Sequence, residues 1–213
     1  MFQYIKMRFF HVMEFINNKN FLSIWNEVVY FQRTCILLEK DLKNFAPNSV
    51  YVQHADLTMI EITPITFSEN KFIHQSKVRY MKALRYLKKG YSGYGIVRNN
   101  EVIGDIWCST SHKPAEIHTD VVFFNIKCAP NECYLFDMYM SPLERGNRNI
   151  ATYLERVVLN DLSKKGYEKA YGYVWADNVP ALWVHRIIKW KETRRLKINR
   201  FLGFKKISKK TIS

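Results

Sequence analysis

Apolar residues recur along the chain with two different periods, which predicts a succession of helices and strands. Between residues 1 and about 46 the apolar positions lie three or four residues apart, as in amphipathic helices. One such predicted helical stripe runs through Ile24, Val28, Phe31, Cys35 and Leu38. The segment Ala46-Pro47-Asn48-Ser49 then breaks the pattern, so a boundary is predicted near 47–57.

Beyond that boundary, period-two and helical patterns alternate. The hairpin signal is the pair Asn99-Asn100 between two apolar runs, and Gly166 after two lysines is typical of a helix end. The predicted order is strand 59–65, helix 67–89, a hairpin of 94–97 and 102–109, strands 121–127 and 133–140, helix 150–165, strand 170–175, a helix capped by Asn178, and strand 191–199. This order predicts an α/β (α+β) fold, in which helices flank a mixed sheet.

Composition narrows the class of protein. The 213 residues, of which 47% are hydrophobic, suit one domain with a packed core. The 33 Lys and Arg residues exceed the 19 Asp and Glu residues, and 33 − 19 gives the net charge of +14. Such a charge favours an anionic partner, which could be nucleic acid, a membrane surface or a phosphorylated small molecule.

Cysteine spacing and the N-terminal residues predict the compartment. The four cysteines have no zinc-ligand spacing, so we predict free thiols and no metal site. The N-terminal apolar residues are interrupted by Lys6, Arg8 and Glu14, unlike a secretory signal, and no run of about 18 apolar residues could span a membrane. We therefore predict a cytoplasmic protein.

The most informative segment is 136–151, where a predicted strand ends, a polar loop follows and a helix begins. The loop contains two arginines, two asparagines and Gly146. The first N–H groups of a helix have no partner within it, and with the helix dipole they form an anion site. The pattern therefore favours a pyrophosphate-binding loop. A plain strand-to-helix connection with solvated charges is the alternative.

Three linked pieces resemble the GNAT superfamily of acyl-CoA-dependent N-acyltransferases. Met138–Pro142 followed by Arg145–Ala151 resembles the family's fourth strand and its R/Q-x-x-G-x-G/A loop, although Asn147 and Asn149 stand where glycine is usual. Helix 150–165 with strand 170–175 is the second piece. The third is Asn178-Val179-Pro180-Ala181-Leu182-Trp183-Val184-His185, which is similar to the family's N-x-x-A-x-x-x-Y, with His185 at the tyrosine.

This resemblance implies a GNAT-type sheet, mixed and mostly antiparallel, and a co-substrate. The expected domain is 58–213, with 1–57 as a helical segment packed on it. The implied co-substrate is acetyl-CoA, with no metal. The residues expected to hold it are Met138, Tyr139, Met140, Arg145, Gly146, Asn147, Arg148, Asn149, Ile150, Ala151 and Asn178.

The resemblance also implies direct attack of an amine on the thioester. His185 would then protonate the leaving thiolate, because a histidine can donate a proton near neutral pH. Asp137 is the first candidate for the base that activates the amine, and it shares a strand face with Tyr139 by period-two alternation. The alternative interpretations are that His185 is simply packed in the structure and that Asp137 offsets the surrounding positive charge.

The expected reaction is acetyl transfer to a primary amine of a small molecule or peptide, which the net charge suggests could be acidic. Two alternatives stay open, namely a non-catalytic GNAT-like binding module with a basic surface and a longer-chain N-acyltransferase. Nucleic acid is disfavoured as a partner, because no recognisable reader accompanies the basic residues. Peripheral membrane contact and both the monomeric and the homodimeric state stay open.

Overall fold

The structure is a computed structural model that describes residues 30–43, 45, 56–69, 73–74, 76–110, 116–146, 148–201 and 204–208. The strands are β1 (Tyr30–Asp41), β2 (Thr58–Ile62), β3 (Ile73–His74), β4 (Ser92–Arg98), β5 (Glu101–Thr110), β6 (Glu132–Met140), β7 (Lys169–Trp175), β8 (Lys191–Phe201) and β9 (Phe204–Ser208). The helices are α1 (Pro64–Ser68), α2 (Lys77–Lys88), α3 (Thr119–Phe123), α4 (Arg148–Lys164) and α5 (Val179–Ile187).

These strands form one sheet in the order β2-β4-β5-β6-β7-β1-β8-β9, with β3 beside β5. The pairs β6/β7 and β3/β5 are parallel and the other pairs are antiparallel. The predicted mixed, mostly antiparallel sheet with flanking helices is thereby confirmed. None of the helices in the described ranges has the length and apolarity that crossing a membrane would require.

Helices cover both faces of the sheet. Along β6, Cys133 and Leu135 pack into one hydrophobic cluster, whereas Tyr134 and Phe136 pack into another. Because successive strand residues point to opposite faces, these clusters lie on opposite sides of the sheet. Helices α4 and α5 contribute to the first cluster, and α2 and α3 to the second.

The structure corrects the prediction for the N-terminal segment. Residues 30–41, expected to be helical, form β1, which pairs with β7 on one side and β8 on the other. Cys35, Ile36, Leu37 and Leu38 are all buried, because helices and loops cover both faces of this strand. Residues 30–41 are thus part of the main sheet, and the predicted helical residues 1–29 lie outside the described part.

Other elements also differ from prediction, and the strand expected over 59–65 ends at Ile62, before α1 begins at Pro64. Residues 121–127, expected to be a strand, contain the end of α3 and a turn in which Asn125 has a φ of 50°. Val121 and Phe124 are buried whereas Val122 is exposed, which is the spacing of a helical turn. The helix expected over 67–89 begins only at Lys77, where the Ser76 hydroxyl accepts from the Arg79 N–H.

The β4–β5 hairpin is confirmed, and its turn gives a direct test. Asn99 and Asn100 have φ of 50° and 64°, which suits a two-residue type I′ turn. Asn100→Val is expected to lower the free energy of unfolding by about 1–2 kcal/mol, since a side chain branched at Cβ is strained at positive φ. Asn100→Gly is expected to leave it unchanged or raise it. Urea denaturation followed by circular dichroism measures both, and equal stability of the two variants would contradict this.

Candidate active site

Strands β6 and β7 pair only where they begin. Their parallel register joins Glu132 with Lys169, Cys133 with Ala170 and Tyr134 with Tyr171, and it ends there. Strand β6 nonetheless continues to Met140 and β7 to Trp175. The remaining part of β6 therefore has an edge facing β7 that has no ladder partner in the part of the chain that the structure describes, and backbone groups on this edge can bond to a ligand. Met138 and Met140, predicted to hold the co-substrate, lie on this part of β6.

The predicted anion loop lies at the end of this opening. Turns over 142–146 lead from β6 into α4, whose first residue is Arg148. Arg145 is exposed, and its Nε donates to the Met140 carbonyl over 3.2 Å. A Cβ on Gly146 would project into open space, so no neighbouring atom of the described chain prevents close approach of a phosphate. Asn149 is exposed and Ile150 buried.

Not all of the predicted loop residues can be placed. Asn147 and the side chain of Arg148 lie outside the described part of the chain. The Ser141 hydroxyl, at the start of the loop, is fully buried and has no hydrogen-bond partner among the described residues. The helix start and the exposed Arg145 fit the phosphates of a nucleotide thioester such as acetyl-CoA.

Asp137 lies at a bulge in β6. The register with β5 passes from Trp107↔Phe136 to Asp105↔Tyr139, so two residues of β6 oppose the single residue between the β5 partners. Asp137 has a φ of 49°, and such an extra residue is a β-bulge. The bulge turns the Asp137 carboxylate toward α2.

The Asp137 carboxylate has polar contacts with three side chains of α2. Arg79 Nη1 and the Tyr86 hydroxyl donate to Asp137 Oδ2 over 2.8 and 2.9 Å, and Lys82 Nζ lies 3.3 Å from both oxygens. Burial by itself would raise the pKa of Asp137, but the charges of Arg79 and Lys82 outweigh it and hold the pKa below its usual value. Such a carboxylate accepts a proton poorly, which disfavours the base role predicted for Asp137.

His185 belongs to α5 and lies on the opposite side of the sheet from Asp137, on the face that α4 and α5 cover. Its Nδ1 is 2.8 Å from Oε1 of Glu155, a residue of α4 whose side chain is 0% exposed. Burial tends to lower the pKa of His185, yet the charge of Glu155 and the hydrogen bond to it prevail and raise the pKa. The imidazole is thus held protonated at higher pH than a free histidine.

The remaining predicted residues have structural contacts. The Asn178 side chain caps α5, with its Oδ1 accepting from the Ala181 N–H over 3.4 Å. The Tyr139 ring lies against the Arg79 guanidinium at 4.6 Å and near that of Arg145 at 5.8 Å. Asp137 and Tyr139 therefore contact α2, whereas His185 contacts α4. The two predicted catalytic residues, Asp137 and His185, thus have no contact partner in common.

Two important residues, Glu155 and Arg79, were missed from the sequence. Glu155 follows Leu154 on the apolar side of α4, and an acidic residue flanking an apolar stripe is the only signal that could have drawn attention to it. Arg79 stands in a stretch of the sequence rich in basic residues, yet it is buried between Asp105 and Asp137. A buried arginine among surface-like lysines has no distinguishing sequence pattern.

Solved structures share this fold. A Drosophila protein solved by structural genomics matches with a TM-score of 0.52 and 12% identity over 89% of this chain. The GCN5-related glucosamine N-acetyltransferase region of a fungal multi-domain β-N-acetylglucosaminidase matches with 0.59 and 14% over 87%. A GCN5-related N-acetyltransferase from Sphaerobacter thermophilus matches with 0.52 and 12% over 86%. No protein-family model and no curated protein matches the sequence.

These likenesses establish the fold class. The matched regions make up 58%, 23% and 56% of those three chains, so this chain spans less than two thirds of each. The chain has the fold of the GNAT superfamily, and the resemblance read from its motifs is confirmed at that level.

Proposed function

We propose that the chain is an acyl-CoA-dependent N-acyltransferase that moves an acetyl group from acetyl-CoA to a primary amine. The observation that carries this proposal is the opening between β6 and β7, which ends at the loop and N-terminus of α4. The GNAT fold supports it, since two of the structures that share the fold are described as GCN5-related N-acetyltransferases. The acceptor is proposed to be a small molecule or a peptide.

In this proposal the chain binds acetyl-CoA along β6. Backbone groups of Met138 and Met140 bond to the pantetheine, and N–H groups of residues 146–151 hold the pyrophosphate. Arg145 and Arg148 add charge to this site, and Arg145 is already oriented by the Met140 carbonyl. Glu144, which would repel phosphate, is paired with Arg98 of β4. That ion pair leaves the loop with excess positive charge.

Acetyl-CoA supplies an acetyl group activated as a thioester. The amine nitrogen bonds to the carbonyl carbon, the carbon–sulfur bond breaks, and His185 passes a proton to the leaving sulfur. The nitrogen loses one proton to water, and this proton returns through solvent to His185. The products are an amide and CoA thiol, with no oxidation or reduction. Water is the proposed first proton acceptor because the Asp137 carboxylate is engaged with Arg79, Lys82 and Tyr86.

Thermal unfolding with acetyl-CoA tests the binding step. Ligand at 100 times its Kd is expected to stabilise the chain by about 2.7 kcal/mol. Arg145→Glu is expected to weaken acetyl-CoA binding about tenfold or more, since a hydrogen bond to a charged group contributes about 1.5–3 kcal/mol. Lys206→Glu, which changes the charge equally on the edge strand β9, is the matched control and is expected to bind like the wild type. No stabilisation at millimolar acetyl-CoA would refute the proposal.

Thiol release separates the catalytic proposal from its alternatives. Wild-type protein is assayed for release of CoA thiol with a panel of amines, using acetyl-CoA and octanoyl-CoA in parallel. Binding without thiol release would support the non-catalytic module, which the engaged Asp137 carboxylate favours. A preference for octanoyl-CoA would support the longer-chain acyltransferase.

A further inference from the structure

We propose that Glu155 is a positioning residue for this reaction, whose buried carboxylate orients His185 and keeps the transferable proton on Nε2. The inference rests on the proposed function and deepens it by assigning a partner to the general acid. It starts from the 2.8 Å contact between Glu155 Oε1 and His185 Nδ1, which joins α4 to α5 across 30 residues of sequence.

The Glu155 carboxylate is in an environment that requires a cationic partner. Its side chain is completely buried, and its Oε2 has no hydrogen-bond partner among the described residues. A buried carboxylate without a partner is strongly destabilising, whereas one with a protonated neighbour is tolerated. The buried carboxylate therefore favours the protonated form of His185, and His185 is the group that donates to Glu155.

The surrounding groups leave this pairing intact. On β1, Lys40 interacts with the Glu155 charge, but its Nζ donates to the Ile188 carbonyl over 2.7 Å. Burial, the largest influence, lowers the pKa of Lys40, and the hydrogen bonds of its Nζ go to the Ile188 and Lys189 carbonyls rather than to Glu155. From the segment after α5, the Trp190 ring packs against the His185 ring at 5.7 Å in a T-shaped contact. An aromatic edge contact fixes the ring plane and carries no net charge.

The geometry decides which nitrogen can act. Nδ1 is occupied by Glu155, so Nε2 is the ring nitrogen that remains for proton transfer to a leaving group. A histidine with an ordinary pKa of about 6.5 is only about one tenth protonated at pH 7.5. The raised pKa of His185 increases the fraction that carries the acid proton at that pH. His185, at the position of the tyrosine in the family that the sequence resembles, can thereby act as a general acid near neutral pH.

The pKa of His185 can be measured without activity by NMR titration of protein labelled with ¹⁵N-histidine, with the signal assigned by its loss in His185→Gln. We expect a pKa above 6.5 in the wild type. Glu155→Gln is expected to lower it by about one unit or more, since an opposite charge at this distance shifts a pKa by about 1–3 units. Asp161→Asn, the same kind of change on α4 at a carboxylate that pairs with Lys165, is expected to leave it unchanged.

The pH profile of kcat/KM supplies the functional readout. An acid with a raised pKa keeps its proton up to that pKa, so activity is lost only as the pH rises through it. Glu155→Gln is expected to move this alkaline limb to lower pH by as much as the NMR pKa moves. A pKa that falls while the limb stays in place would show a purely structural pair and overturn the inference.

The wild-type spectrum keeps the inference testable even if Glu155→Gln fails to fold. A His185 pKa at or below 6.5, or ¹⁵N shifts that show Nδ1 unprotonated, would overturn it without the Glu155 variant. If the wild-type protein shows the raised His185 pKa but transfers no acyl group, the proposed function is refuted, and the positioning role of Glu155 with it. The two failures are therefore distinguishable.

Discussion

Arg79→Leu is expected to lower the free energy of unfolding by about 3–5 kcal/mol, the cost of breaking a buried ion pair by removing one partner. The Arg79 guanidinium donates to both Asp105 and Asp137, and the Asp105 side chain is only 2% exposed. The pKa of Arg79 is raised, because the two carboxylates outweigh the effect of burial. Without Arg79, two carboxylates would face each other beneath α2. Chemical denaturation followed by circular dichroism measures the loss.

Arg85→Leu is the matched control, since Arg85 is an exposed arginine on the same helix. Its expected effect is within about 0.5 kcal/mol, as for most surface substitutions. Adding Asp105→Asn to Arg79→Leu removes one of the two carboxylate charges that lose Arg79 as a partner, and it is expected to recover part of the stability. Equal losses for the Arg79 and Arg85 variants would contradict this account. If Arg79→Leu does not fold, the Asp105→Asn single variant, which leaves the arginine with Asp137 alone, gives the measurement.

Arg79 also links stability to the site. Because the guanidinium binds Asp137 at the bulge and stacks on Tyr139, it fixes the last residues of β6, from which the proposed pantetheine contacts come. The same interaction explains why Asp137 suits a structural role. A carboxylate that closes a network of Arg79, Lys82 and Tyr86 cannot exchange protons without weakening all three contacts.

Elements with local signals could be predicted from the sequence. The Asn99-Asn100 turn, the end of α4 at Gly166 and the cap of α5 at Asn178 each depend on residues a few positions apart. Gly166 has a φ of 87°, as its place after the helix predicts. Motif order along the chain was also sufficient to recognise the GNAT fold.

Elements decided by tertiary contacts could not be predicted in this way. Strand β1 is apolar on both faces between Cys35 and Leu38 because each face packs into a hydrophobic cluster, and its apolar residues happen to include a helical spacing. The partners of the candidate site are equally remote. Arg79 and Asp137 are 58 residues apart, and Glu155 and His185 are 30 residues apart. No sequence period relates positions that only the packed sheet brings together.

His185→Gln is expected to lower kcat by about 10²- to 10⁴-fold, the range that general acid–base catalysis contributes. Glutamine keeps a similar length and polarity but cannot deliver a proton to the leaving sulfur. Affinity for acetyl-CoA is expected to be retained, because the proposed binding groups lie on β6 and at the start of α4. Initial rates of CoA thiol release, together with calorimetric titration of acetyl-CoA, separate these two effects.

The control is His118→Gln, which makes the same substitution at a histidine on the opposite side of the sheet. The His118 side chain caps α3 and packs against Phe136, so this variant is expected to lose stability while kcat is unchanged. Equal loss of kcat in both variants would indicate a general structural effect. Retention of kcat in His185→Gln would exclude His185 as the acid, because glutamine has no proton to transfer to the sulfur. The Glu155–His185 pair would in that case serve to hold α4 against α5.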